Sequence, residues 1–253
     1  MCCFSGKIES VHNTRIFARS HSDGRQFIIY SMSISSPEDV AMVLPIPVAA
    51  GSGEQAVQFV NLDAYPTLFD DMAKGFPVRV SRSAAAGPFA AAGAAPKPML
   101  QVNSVGAYEA SYVPTPTDFS RLDERFRLPA GTWEKLPGYK GFGFVVFKLK
   151  QGEHDVHPMA FSFPTATPDR LFFPTLHIHD GEVHPKAEFD HTLYCQGAGL
   201  RPGEWSESPG IATQFMKVAS TKGIVLGAQH VYKRTLAGML ANTDWLVKAR
   251  AVV

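Results

Sequence analysis

Along the first third of the chain, apolar and β-branched residues come in short runs separated by turn-forming residues. Residues 15–19 (Arg-Ile-Phe-Ala-Arg) and 26–30 (Gln-Phe-Ile-Ile-Tyr) flank Ser22-Asp23-Gly24-Arg25. An Asp-Gly pair between two such runs predicts a β-hairpin, because glycine accepts the positive φ of a primed turn. The next apolar run, Val40-Ala41-Met42-Val43-Leu44, meets Pro45 and Pro47. Proline has no N–H to give to a ladder, so this strand is expected to stop at Pro45 or to lie at an edge. Residues 61–74 predict a short helix entered through Pro66 and closed by Gly75.

Residues 83–98 are almost all Ala, Gly, Ser and Pro. They offer little to bury and predict a mobile loop. Strand-like patterns return at 100–105, 107–113, 143–150, 159–163 and 171–179, with a short helix capped by Thr117 between them. Residues 211–253 fit strand and helix alike. The pattern therefore predicts a β-dominated α+β fold, with antiparallel sheets and hairpins and a few short helices. It forms a single β-rich unit over 1–253, or two subdomains, 1–82 and 99–253, joined by the Ala/Gly/Pro-rich loop.

Composition narrows the function classes. The 253 residues are 45% hydrophobic, enough for a packed core. Lys and Arg total 24 against 23 Asp and Glu, leaving a formal charge of +1. Such a balance builds no cationic field for a polyanion, so nucleic acid is not an expected partner. Apolar runs are too short for a membrane helix, and the start shows no basic stretch leading into an apolar core, so neither membrane insertion nor a signal peptide is expected. Three cysteines, two of them adjacent, do not suit a disulfide framework, and the cytoplasm is the expected compartment.

Several segments look familiar. Val43-Leu44-Pro45-Ile46-Pro47 resembles the VLPVP-type segment of an uncharacterised bacterial domain-of-unknown-function family. Cys2-Cys3-Phe4 is loosely similar to that family's N-terminal cysteine motif, and Val105-Gly106-Ala107-Tyr108-Glu109 to its VGxYE strand. Gly138-Tyr139 with Phe144–Leu149, and then His157-Pro158-Met159, resemble its next strand and the proline before the following one. This sequence departs from the family in its adjacent cysteines and in showing no export signal. The resemblance supports the β-rich fold and implies no catalytic residue.

The chemistry-bearing residues concentrate in one region. Six of the nine histidines fall within residues 154–191. The densest part is His177-Ile178-His179-Asp180-Gly181-Glu182-Val183-His184, with a second Asp-Gly pair at its centre. A two-residue hairpin there would pair His177 with His184 and put His177, His179, Glu182 and His184 on one face. Three imidazoles and a carboxylate at such spacing suit one transition-metal ion, Zn, Fe or Cu. The expectation is a mononuclear metal site, in a metalloenzyme or a storage or sensing protein, with Glu182 a fourth ligand or acid/base. Supplementary ligand candidates are His191 and Cys195, which share strand parity, together with His157, Cys2 and Cys3. Cys195 as a thiolate would favour Zn or Cu, and Glu188 and Asp190 would orient imidazoles. The plain alternative is a solvated hairpin with Ile178 and Val183 packed inward.

Two other readings stay open. Cys2, exposed by removal of Met1, would be a nucleophile with its own amine as base, as in N-terminal-nucleophile hydrolases. The histidine segment would alternatively contact a partner without catalysis. Small molecules or a metal ion are the expected ligands. No GxSxG, GxGxxG or GxxxxGK[ST] pattern occurs, so no hydrolase elbow and no standard nucleotide loop is predicted.

Overall fold

The predicted hairpin forms, with β2 (Ser10–Ser20) and β3 (Arg25–Ser36) paired antiparallel and Gly24 at a φ of 80°. Asp23 does not share a positive φ, and the turn closes from Gly24 N–H to His21 O rather than as a primed pair. The computed structural model describes residues 2–77, 103–105, 108–122, 124, 127–128, 132, 137–178, 182–197 and 204–248. The predicted loop at 83–98 lies outside them.

Two sheets carry the fold, which is β-dominated with few helices. The first has six strands in the order β12 (His177–Ile178), β1 (Cys2–Phe4), β4 (Val40–Ile46), β8 (Gly143–Leu149), β7 (Tyr108–Val113) and β6 (Asn103–Val105). The second has the path β14 (Ser206–Ile211), β15 (His230–Ala241), β13 (Lys186–Gln196), β2, β3, β10 (Met159–Pro164) and β5 (Gln58–Asn61). A further strand of it, β9 (Gly152–Asp155), pairs with β3. A separate ribbon joins β11 (Arg170–Phe173) to β16 (Trp245–Lys248). Strands from both sides of residues 83–98 intermingle in each sheet.

The main core lies between the sheets. Met42, Leu44, Phe144 and Val146 of the first sheet share it with Ile28, Tyr30, Phe161 and Leu193 of the second. The opposite face of the second sheet is also covered, because Phe17, Ile29 and Tyr194 pack with α1 (Leu68–Lys74) and with Ile224 and Val225. A sheet buried on both faces loses the apolar–polar alternation, and β3 reads as a nearly unbroken buried run. Each fully buried phenylalanine contributes roughly 2–3 kcal/mol to this packing.

Pro45 does not stop its strand. β4 continues to Ile46, but β1 reaches only Met42 and Val43, so at Pro45 the ladder is made on one side only, with β8. The helix is shorter than the pattern predicts, running from Leu68 to Lys74 with Gly75 as its cap. Thr115, rather than Thr117, precedes the 3-10 turn Pro116–Arg121. The run at 171–179 divides between β11 and β12, which belong to different sheets, and the ambiguous C-terminal segment is strand-rich. Gly143 permits a close approach: a Cβ there would come within 2.6 Å of Tyr112 Cε2. Among the described residues no helix is long and apolar enough to cross a membrane.

Candidate functional site

The described segments on either side of the second Asp-Gly pair do not pair with each other as the predicted hairpin requires. His177–Ile178 runs parallel to the N-terminal strand, with Cys2 opposite His177 and Cys3 opposite Ile178. Residues 182–185 form no strand, and the chain enters the other sheet at Lys186. The two arms thus serve different sheets, and a hairpin ladder needs both in one. His179 itself lies outside the described residues, as do Asp180 and Gly181.

A side chain takes over the work of the missing ladder. Asn242, just beyond β15, accepts the His177 N–H at 2.7 Å and donates Nδ2 to the carbonyls of His177 (2.8 Å) and His184 (2.9 Å). Its own N–H donates to Pro185 O at 3.0 Å. Asp244 holds the preceding residues, accepting the N–H groups of Thr175 and Leu176 at 2.7 and 2.9 Å. Burial pushes the Asp244 carboxyl up, against the donors that surround it.

These contacts position His177 against β13. Along that strand Phe189, His191, Leu193 and Cys195 all face the inter-sheet core. The His177 ring stacks on Phe189 with centroids 4.5 Å apart. Its Nε2 meets Nε2 of His191 at 3.0 Å, so the two rings share an N–H···N hydrogen bond. His191 is 1% exposed. Its Nδ1 has no hydrogen-bond partner and lies 3.6 Å from Asp190 Oδ1, beyond hydrogen-bond length. Burial pulls the His191 imidazole below its ordinary value, although Asp190 acts in the opposite sense. Desolvation acts to raise Asp190 itself, but His191 and the Asn13 N–H outweigh it and keep that carboxyl low. Asn13 reaches Asp190 from a bulge in β2, where its φ of 54° is one that asparagine tolerates.

Above this pair opens a cleft of about 450 Å³, whose walls include Val11, Thr14, His184, Lys186 and Glu188. His177 and His184 therefore do share one cavity, although the backbone does not pair them. Glu182 is exposed and is not among the cleft-lining residues. Cys195 shares the strand face of His191, as its parity predicts, but four residues of strand separate the two by roughly 13 Å. It is fully buried and its thiol is pushed well up by desolvation, which suits a core residue. Cys3 also packs in the core. Cys2 is described only through its backbone pairing. His157 stacks on Tyr108 at 3.9 Å and is outside the cleft lining. Among the described residues no group of three or more His, Cys, Asp or Glu converges on one point.

The partner of His177 is therefore His191, which the sequence pattern ranked as supplementary. The available signal was its place on the apolar face of a long strand, where a polar residue needs a partner.

No protein-family model matches the chain, and no curated protein matches it in sequence. Solved structures do. In fold the chain is similar to baculovirus P35. That likeness has a TM-score of 0.52 at 12% identity and covers 98% of this chain and 100% of the other. The caspase-8/P35 complex is also similar, at a TM-score of 0.48, 10% identity, and 94% and 96% coverage.

Proposed function

We propose that this chain is a protein-binding protein whose partner is a caspase. What supports the reading is the end-to-end likeness in fold to baculovirus P35, a protein that has been crystallised in complex with caspase-8. One fold hosts many functions, so the argument is one of fold analogy and reaches the class of partner. The charge of +1 fits it, since association would rest on shape and apolar contact rather than on long-range steering. Met239 and Leu246, 61% and 46% exposed, are large apolar side chains available for such contact.

The test is to mix the purified chain with caspase-8 and follow association by size-exclusion chromatography with light scattering and by calorimetry. A co-eluting complex with a dissociation constant below about 1 μM, or about −8 kcal/mol, is the expected result. Separate elution, with no heat of binding at tens of micromolar (roughly −6 kcal/mol or weaker), would overturn the reading.

A further inference from the structure

We propose that His177 and His191 are the paired ligands of a transition-metal site at the floor of the cleft, with Cu2+ preferred to Ni2+ and Zn2+. The inference is independent of the caspase reading. It keeps His177 from the pattern seen in the sequence and replaces the hairpin ligands with a histidine from another strand.

Both nitrogens lie within reach of one ion. Two imidazole nitrogens, each about 2.0–2.1 Å from one metal, subtend roughly 94° when they lie 3.0 Å apart, as these do. That is close to the angle between neighbouring positions of a square-planar or octahedral ion. Opening the pair by about 0.3–0.4 Å would reach the roughly 109° of tetrahedral zinc, so the order of preference comes from the general affinity series. Nitrogen ligands in a tetragonal arrangement suit Cu2+ and Ni2+, and Cu2+ heads the general affinity order.

The surroundings also fit. Phe189 holds one ring by stacking, and β13 fixes the other inside the core, so little side-chain freedom is lost on binding. Nε2 of His191 is the ring nitrogen that meets His177, and Asp190 Oδ1 lies 3.6 Å from the other, Nδ1. A carboxylate behind a ligating imidazole is the usual orienting arrangement. The remaining coordination positions would face the cleft and be filled by solvent. When the ion takes both Nε2 lone pairs, the hydrogen shared between the rings passes through solvent to Nδ1 of His177, so both rings stay neutral.

The full chain would be titrated calorimetrically with CuCl2, and with NiCl2 as an ion that thiols do not reduce. Electron paramagnetic resonance of the Cu2+ form reads the ligands. Binding of one ion per chain, with hyperfine structure from two nitrogens, is expected. His177→Ala, at a half-buried position, should weaken binding at least tenfold, and Asp190→Asn about tenfold. His184→Ala should change it less than threefold. His191→Phe should abolish the two-nitrogen signal, and should that variant not fold, His177→Ala decides alone. Failure of the wild type to bind either ion, or a His177→Ala protein with unchanged affinity and spectrum, would overturn the proposal.

Discussion

The Tyr139 hydroxyl donates to Asp244 at 2.6 Å and so ties the turn before β8 to the turn before β16. Among the described residues Asp244 gathers three donors, two of them backbone N–H groups of the segment that leads into β12. Replacing it with alanine strands all three in the interior. Asp244→Ala should lower stability by about 3–5 kcal/mol, and Asp244→Asn, which keeps an acceptor oxygen, by about 1–2 kcal/mol. Urea denaturation of both variants checks this, and equal losses would count against the clamp.

Asn242 holds His177 and His184 together without any strand pairing between them. Asn242→Ala removes three of its bonds and should cost about 2–3 kcal/mol. The loss should be local first. Hydrogen exchange at the His177 amide should accelerate well before exchange in β13 does.

Tyr65 and Asp71 predict a pH window. Burial acts to raise Asp71, but hydrogen bonds from Lys74 and Tyr65 outweigh it and leave the carboxyl low. A depressed carboxyl stabilises the fold above its unfolded value of about 4, and that contribution is lost as pH falls through the folded value. Tyr65 is pushed up to about 12, chiefly by burial and with Asp71 adding to it. Its contribution is complete below about 10 and is lost as pH rises beyond that towards the folded value. Tyr65→Phe should flatten the alkaline limb of a stability–pH curve while retaining an acid limb; an unchanged alkaline limb would contradict the assignment.

Gly143→Ala should cost about 1–3 kcal/mol, because the new methyl would enter the space of the Tyr112 ring. The double variant with Tyr112→Leu should recover part of that loss, measured by thermal denaturation as a mutant cycle.

Local chemistry made much of the fold readable. Asp23-Gly24 names its hairpin because turn geometry is decided within a few residues, whereas Gly75, which also marks its helix end, is right-handed (φ −64°) and leaves room for the Phe215 ring. Asp180-Gly181 looks the same in sequence, yet the arms beside it separate, since Ile178 is drawn into the inter-sheet core next to Cys3 and Lys186 opens a strand of the opposite sheet. Which sheet a strand joins is decided by contacts distant in sequence, and no local pattern records it. The same reason hid the His177–His191 pair: parity placed His191 on the correct face, but only the packing of β12 over Phe189 supplies its partner.

One pairing has a consequence for synthesis. Residues Arg15 to Arg19 lie parallel to Thr192 to Gln196 in the middle of the larger sheet. A nascent chain leaving the ribosome therefore holds β2 for most of its translation without the neighbour that completes it. Pairing of β2 with β13 is non-local, and slow completion of this sheet is the expected outcome. Fragments ending before residue 196 should be captured by chaperones rather than accumulate as partial copies of the native protein.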